Sequence, residues 1–165
     1  MYVRVLLAGP RVSGRPDHGE NATFRGGLGL EYNEKVLAHF FEPQNVGHID
    51  GADGVGRLGD ASCGDVFTMF ITVDNGRITD IKYLVQGCGA AIATCSALSI
   101  IAKGMTLEEA MRLDDDDIAK ELGGLPLEKL HCSNLAATVL HQAVEDYRNR
   151  QRVDLHEWRS MYRKD

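Results

Sequence analysis

The stretch Asp65–Gly87, DVFTMFITVDNGRITDIKYLVQG, decides the fold. Phe67, Met69, Ile71 and Val73 alternate with less buried types, which is the period of a strand with one face in a core. Asn75-Gly76 offers two residues that tolerate positive φ, the requirement of a tight two-residue hairpin turn. Ile78 to Gln86 then reads as the returning strand. An antiparallel hairpin is therefore the first fixed element.

Working toward the C-terminus, Ala90–Gly104 (AAIATCSALSIIAKG) is apolar on nearly every face, so it reads as a buried helix ended by Gly104. Thr106 and Glu109 form a capping-box pair ahead of a short helix. Asp114 to Asp117 starts another helix that stops at Gly123-Gly124, and the acid run reads as a solvated helix start. Leu135, Val139, Leu140, Ala143, Val144 and Tyr147 mark a long amphipathic helix. Its Arg-rich tail, 151–165, is expected to be helical or flexible.

Toward the N-terminus, Val36, Leu37, Phe40 and Phe41 recur at helical spacing and Pro43 stops that helix. The glycine-rich stretch Gly47–Gly64 reads as a loop with at most one irregular edge strand. Residues 1–30 differ from the rest. They hold six of the 18 glycines and two of the four prolines, with four arginines against Asp17 and Glu20. Such a segment buries little and is expected to be a disordered extension. Organellar import is the weaker reading, because its arginines show no helical face. One domain over 31–150 remains.

Composition narrows the function. The net charge of −6 argues against a nucleic-acid surface. No apolar run reaches the roughly 18 residues of a membrane helix. The four cysteines, Cys63, Cys88, Cys95 and Cys132, form no CxxC pair, which disfavours zinc fingers, thioredoxin sites and ferredoxin clusters. In a chain of this size without a secretory signal they read as thiols or ligands in a reducing, cytoplasmic setting.

Three of these cysteines fall at element junctions. Cys63 precedes the first hairpin strand, Cys88 follows the second, and Cys132 precedes the long helix. Helix N-termini favour the thiolate, the form that metal binding and sulfur chemistry require. Asp65 lies two residues from Cys63, on the same face if both are extended. The glycines of CGD and GCG would let backbone approach a bound inorganic group. His131 and Cys132 are adjacent, and inside a helix they would diverge by about 100°. A shared centre then requires non-helical backbone there, with the helix beginning near Ser133. Cys95 reads as a small buried hydrophobe. His39, His48 and His141 read as structural or solvated, and His18 and His156 fall in the segments expected to be mobile.

The ordered motifs YNEKVLAHFFEPQNVG, ASCGD, GCGAAIA, GMTLEEA, IAKELGGLP and EKLHCSNLA resemble the IscU family, and more closely the amino-terminal scaffold domain of NifU. The resemblance spans about residues 31–150. The related SufU type carries an insertion that this chain has no room for, and lacks a histidine where His131 stands. The resemblance implies an α+β fold with a small antiparallel sheet of about three strands and helices packed on one face. It implies a stand-alone scaffold on which iron–sulfur clusters are built, a carrier rather than a turnover enzyme. The implied partners are a cysteine desulfurase of the IscS or NifS type and apo-protein acceptors. The implied cargo is a transient 2Fe-2S cluster, with zinc in the isolated form. Matched by motif, the ligands are Cys63, Asp65, Cys88, His131 and Cys132. Leu125–Lys129 reads LPLEK where family members carry Leu-Pro-Pro-Val-Lys, so an Hsp70-type chaperone partner is left open.

Cys132 is expected to take sulfur first, because it should sit in an exposed helix cap beside a proton-carrying histidine. A hydrolytic zinc enzyme is disfavoured, since no HxE-type acid/base motif flanks these residues. A Cys–His nucleophile is disfavoured because sequence neighbours are badly placed for a nucleophile–base pair. A zinc-stabilised interaction module in a sulfur-transfer system is the remaining alternative, as it would use the same ligands.

Overall fold

The computed structural model describes residues 24–25, 31–60 and 64–162, with backbone alone for 24, 25, 31, 60 and 154–162. Strand β1 (Phe24–Arg25) pairs antiparallel with β2 (Glu31–Tyr32), inside and at the edge of the segment expected to be disordered. The remainder of that segment lies outside the described residues. The main sheet has three antiparallel strands in the order β3 (Gly54–Asp60), β4 (Asp65–Asp74) and β5 (Arg77–Gln86).

The hairpin is as the alternation demands. Asn75 (φ 49°) and Gly76 (φ 73°) form the two-residue turn, and Phe67, Met69 and Ile71 point into the core with Ile81 and Tyr83 of β5. The outer edge of β5 is covered by the loop after the first helix: Gly47 N donates to Tyr83 O at 2.9 Å, and Tyr83 N donates to Asn45 O at 3.2 Å.

Among the described residues the α-helices are, in chain order, α1 (Glu34–Phe41), α2 (Gly89–Ala102), α3 (Leu107–Ala110), α4 (Asp115–Glu121) and α5 (Leu130–Tyr162). They cover one face of the sheet. Residues Thr68, Phe70, Lys82 and Leu84 of the other face stay half-buried. Helix α2 is enclosed from Ala90 to Ser99, which is why its sequence shows no polar face. Leu98, Ile118 and Leu140 are fully buried between the layers, each contributing roughly 1.5–3 kcal/mol relative to exposure. Both capping boxes form: Thr106 with Glu109, and Asp114 with Asp117.

Two local readings are corrected. The glycine-rich stretch contains a regular seven-residue strand rather than an irregular one. Gly54 and Gly56 of that strand serve close packing. A Cβ on Gly54 would stand 2.1 Å from Ala143 O, and one on Gly56 2.0 Å from Val139 O, so α5 lies directly across bare backbone. The same helix satisfies the free edge of β3. Asp146 Oδ2 accepts from Val55 N at 2.9 Å, and Gln142 Oε1 accepts from Arg57 N at 3.1 Å.

The second correction concerns the start of α5. It begins at Leu130, not near Ser133, and a 3₁₀ turn at Leu127–Lys129 leads into it. His131 and Cys132 therefore lie in its first turn. No helix among the described residues is long and apolar enough to cross a membrane.

Candidate metal centre

Three element ends meet at one edge of the sheet. Asp65 opens β4, directly after the loop that joins it to β3, where Gly64 takes φ 72°. Cys88 is the N-cap of α2 in extended geometry. His131 and Cys132 come from the first turn of α5. Cys88 Sγ stands 4.0 Å from Cys132 Sγ, Cys132 Sγ is 4.0 Å from Asp65 Oδ2, and His131 Nε2 is 3.5 Å from Cys132 Sγ. The ligand atoms of Asp65, His131 and Cys132 all lie within 4.8 Å of one another.

These separations suit a common ion. Two thiolates bound at about 2.3 Å to one tetrahedral ion lie roughly 3.8 Å apart. The sulfur pair is close to that spacing and far from the length of a disulfide, about 2.05 Å. Cys88, Cys95 and Cys132 are free thiols.

The helical start of α5 does not separate His131 from Cys132 as backbone geometry alone suggests. The short Cys132 side chain points inward and is fully buried, while the longer imidazole of His131 folds back over it from a partly exposed position. The reach of the ring overcomes the angular divergence of neighbours. The expectation of an exposed cap for Cys132 is corrected by the same finding, because the first turn of α5 packs against Asp65 and α2. Cys88 is the half-exposed sulfur of the pair.

The glycines flanking Cys88 make room for side chains rather than for a bound group. A Cβ on Gly87 would fall 2.7 Å from Asp65 Oδ1, and one on Gly89 3.2 Å from the Phe40 ring. Gly87 thus lets the carboxylate lie against the chain beside Cys88. Cys63 lies outside the described residues.

The electrostatics divide the sulfur pair. The hydrogen bond with Cys132 lowers the Cys88 pKa, against burial that raises it; the Ala91 N–H and the Lys129 ammonium also pull it down. The Cys132 pKa is raised by the same hydrogen bond, by burial, and by the charges of Cys88 and Asp65. Cys88 is therefore the more acidic thiol of the pair. Lys129 and Tyr32 complete the electrostatic surroundings. Burial pulls the Lys129 pKa down, but the charges of Cys88, Tyr32 and Cys132 raise it further, so it rises overall. Burial first, and then Cys88, raise that of Tyr32.

Sequence reading did not find these two residues. Lys129 carried a signal, a cation three positions before Cys132 near a helix start. Tyr32 carried none, because its approach depends on how β2 enters the fold.

Cys95 is buried as a small hydrophobe, and burial drives its pKa upward. His39 bonds Ser96 Oγ at 2.8 Å, His141 bonds Leu113 O at 3.0 Å, and His48 pairs with Asp50 at the surface. All three play structural or solvated parts.

Comparison with known proteins gives a consistent set. The family model of the NifU-like N terminal domain matches residues 31–154. The iron–sulfur cluster assembly scaffold protein IscU 1 of Archaeoglobus fulgidus is 53% identical over 116 residues, 70% of this chain and 76% of its own length. The IscU scaffold protein of Aquifex aeolicus is 46% identical over 122 residues, 73% of this chain and 78% of its own. The crystal structure of a nitrogen-fixing NifU-like protein (N-terminal) from Brucella abortus superposes with a TM-score of 0.57 at 19% identity. It covers 71% of this chain and 94% of that one, a likeness of fold.

Proposed function

Because the chain belongs to the NifU-like N-terminal domain family, we propose that it is a scaffold on which iron–sulfur clusters are assembled and from which they pass to apo-proteins. The observation that carries this reading is the meeting of Cys88, Cys132, Asp65 and His131, from three separate elements, at one partly open centre.

The donor set suits a carrier. Iron bound to sulfide favours soft thiolates over a hard carboxylate. A site of thiolates with Asp65 and His131 therefore holds a cluster less firmly than four thiolates would. Cys63, two residues from Asp65, is our choice for a further thiolate ligand. The cargo is a 2Fe-2S cluster held transiently, and zinc occupies much the same ligands in the isolated protein.

Sulfur arrives from a cysteine desulfurase as a persulfide, and Cys132 is its acceptor. The Cys132 thiolate attacks the outer sulfur of the donor persulfide. A new sulfur–sulfur bond forms on Cys132, the donor's sulfur–sulfur bond breaks, and the donor cysteine leaves as a thiolate. The proton of Cys132 must first depart, and His131 at 3.5 Å is placed to take it. Because Cys132 is buried, the first turn of α5 must open toward the donor. The chain is a carrier in this scheme, with no turnover of its own. Free thiols suit a reducing compartment, and the cytoplasm is our assignment.

Anaerobic incubation with iron, cysteine and a desulfurase tests the reading. The expected result is visible absorption from a protein-bound cluster that is lost in Cys88→Ser and Cys132→Ser. Zinc binding with no cluster formed would instead identify a zinc-stabilised module.

A further inference from the structure

The first turn of α5 carries two of the candidate ligands, yet it is reached through Gly123-Gly124, Leu125 and Pro126, a connection with no regular structure of its own before the 3₁₀ turn. What holds that connection in place comes from the other end of the chain. Asn33 uses both ends of its side-chain amide. Its Oδ1 accepts from Val36 N at 3.0 Å and caps α1, while its Nδ2 donates to Gly124 O at 3.1 Å. Lys35 Nζ donates to Glu121 O at 3.0 Å, a carbonyl at the end of α4. Carbonyls at a helix C-terminus lack intrahelical partners, so Lys35 completes α4 from outside while Asn33 holds the connection beyond it. Gly123 takes φ 71° in this connection, a backbone conformation that favours glycine.

We propose that Asn33 is a positioning residue for the metal and sulfur centre: its amide latches the α4–α5 connection, so that the first turn of α5 presents His131 and Cys132 to Asp65 and Cys88. This rests on the reading of that centre given above.

The chemistry of the amide supplies a clean separation of roles. Asn33→Asp keeps an oxygen to cap α1, a role in which aspartate and asparagine are equivalent. It removes the donor and sets a carboxylate against Gly124 O. Asn33→Ser keeps the cap and is too short for the latch. Thr106→Ala removes a cap of comparable worth from α3, remote from the centre, and serves as the control for general destabilisation.

The test uses the full chain with Co2+ as the metal probe, read by thiolate-to-cobalt absorption. In the metal-free protein, the alkylation rates of Cys132 and Cys95 are followed by mass spectrometry. In Asn33→Asp and Asn33→Ser we expect Co2+ affinity to fall about 3- to 10-fold, the equivalent of one lost hydrogen bond. We also expect Cys132 to alkylate faster while Cys95 stays protected, and Thr106→Ala to change neither. Rates and affinities equal to the parent protein, or matched by Thr106→Ala, would overturn the latch, as would parallel exposure of Cys95. Absence of a thiolate–cobalt signal in the parent protein would count against the centre itself, and the Cys132 alkylation rates would still judge the latch.

Discussion

Cys88 Sγ and Cys132 Sγ stand 4.0 Å apart although 44 positions separate them in the chain. The two sulfurs meet where β5 ends and α5 begins. Site geometry and chain packing are therefore one problem, because neither thiol keeps its place unless α2 and α5 are docked on the sheet.

Metal should accordingly act as a staple between elements. Adding Zn2+ is expected to raise Tm and chelation to lower it, by about 2.7 kcal/mol of stability at a free metal concentration of 100 Kd. The proton held on Cys132 must leave when metal binds, and its pKa is raised, so affinity should climb as pH rises and binding should release protons. Calorimetry in buffers of different ionisation enthalpy measures that release. Proton-neutral binding would contradict the ligand assignment.

Asp65 is predicted to be the labile corner. Asp65→Ala removes the hard ligand and should give a longer-lived cluster with slower donation, read as the transfer half-time to an apo-ferredoxin. Equal half-times for the two proteins would rule the idea out.

Sulfur should be found on Cys132. After incubation with desulfurase and cysteine, mass spectrometry of the digested chain is expected to locate the extra sulfur there, and none should remain in Cys132→Ser. A persulfide on Cys63 or Cys88 that survives that substitution would transfer the acceptor role to that thiol.

The bare backbone of β3 offers a stability test far from the sulfurs. Gly56→Ala places a methyl 2.0 Å from Val139 O, a backbone atom that cannot rotate away. Overpacking of this kind costs about 1–3 kcal/mol, and each kcal/mol lowers Tm by about 2–4 °C in a chain of this size. Thermal melting of Gly56→Ala against Gly51→Ala, where no atom lies within 4 Å but φ is 68°, separates steric conflict from backbone strain.

The local elements were readable because their causes are local. Alternation from Phe67 to Val73, the Asn75-Gly76 turn and the two capping boxes each depend on residues a few positions apart. Strand β3 was misread for the opposite reason: Gly54 and Gly56 look like loop glycines until Val139 and Ala143 of the distant α5 are laid across them.

By itself, the sequence determined the hairpin, the enclosed α2, the capped starts of α3 and α4, and which residue types were available to bind metal. Motif order also carried the family. Only the tertiary structure decided that His131 and Cys132 converge from inside a helical turn, that Cys132 is buried while Cys88 is half-open, and that Asn33 reaches the α4–α5 connection. Those outcomes turn on side-chain reach and on contacts between distant segments. Spacing along the chain fixes directions within an element, but only docking fixes how far apart two elements stand.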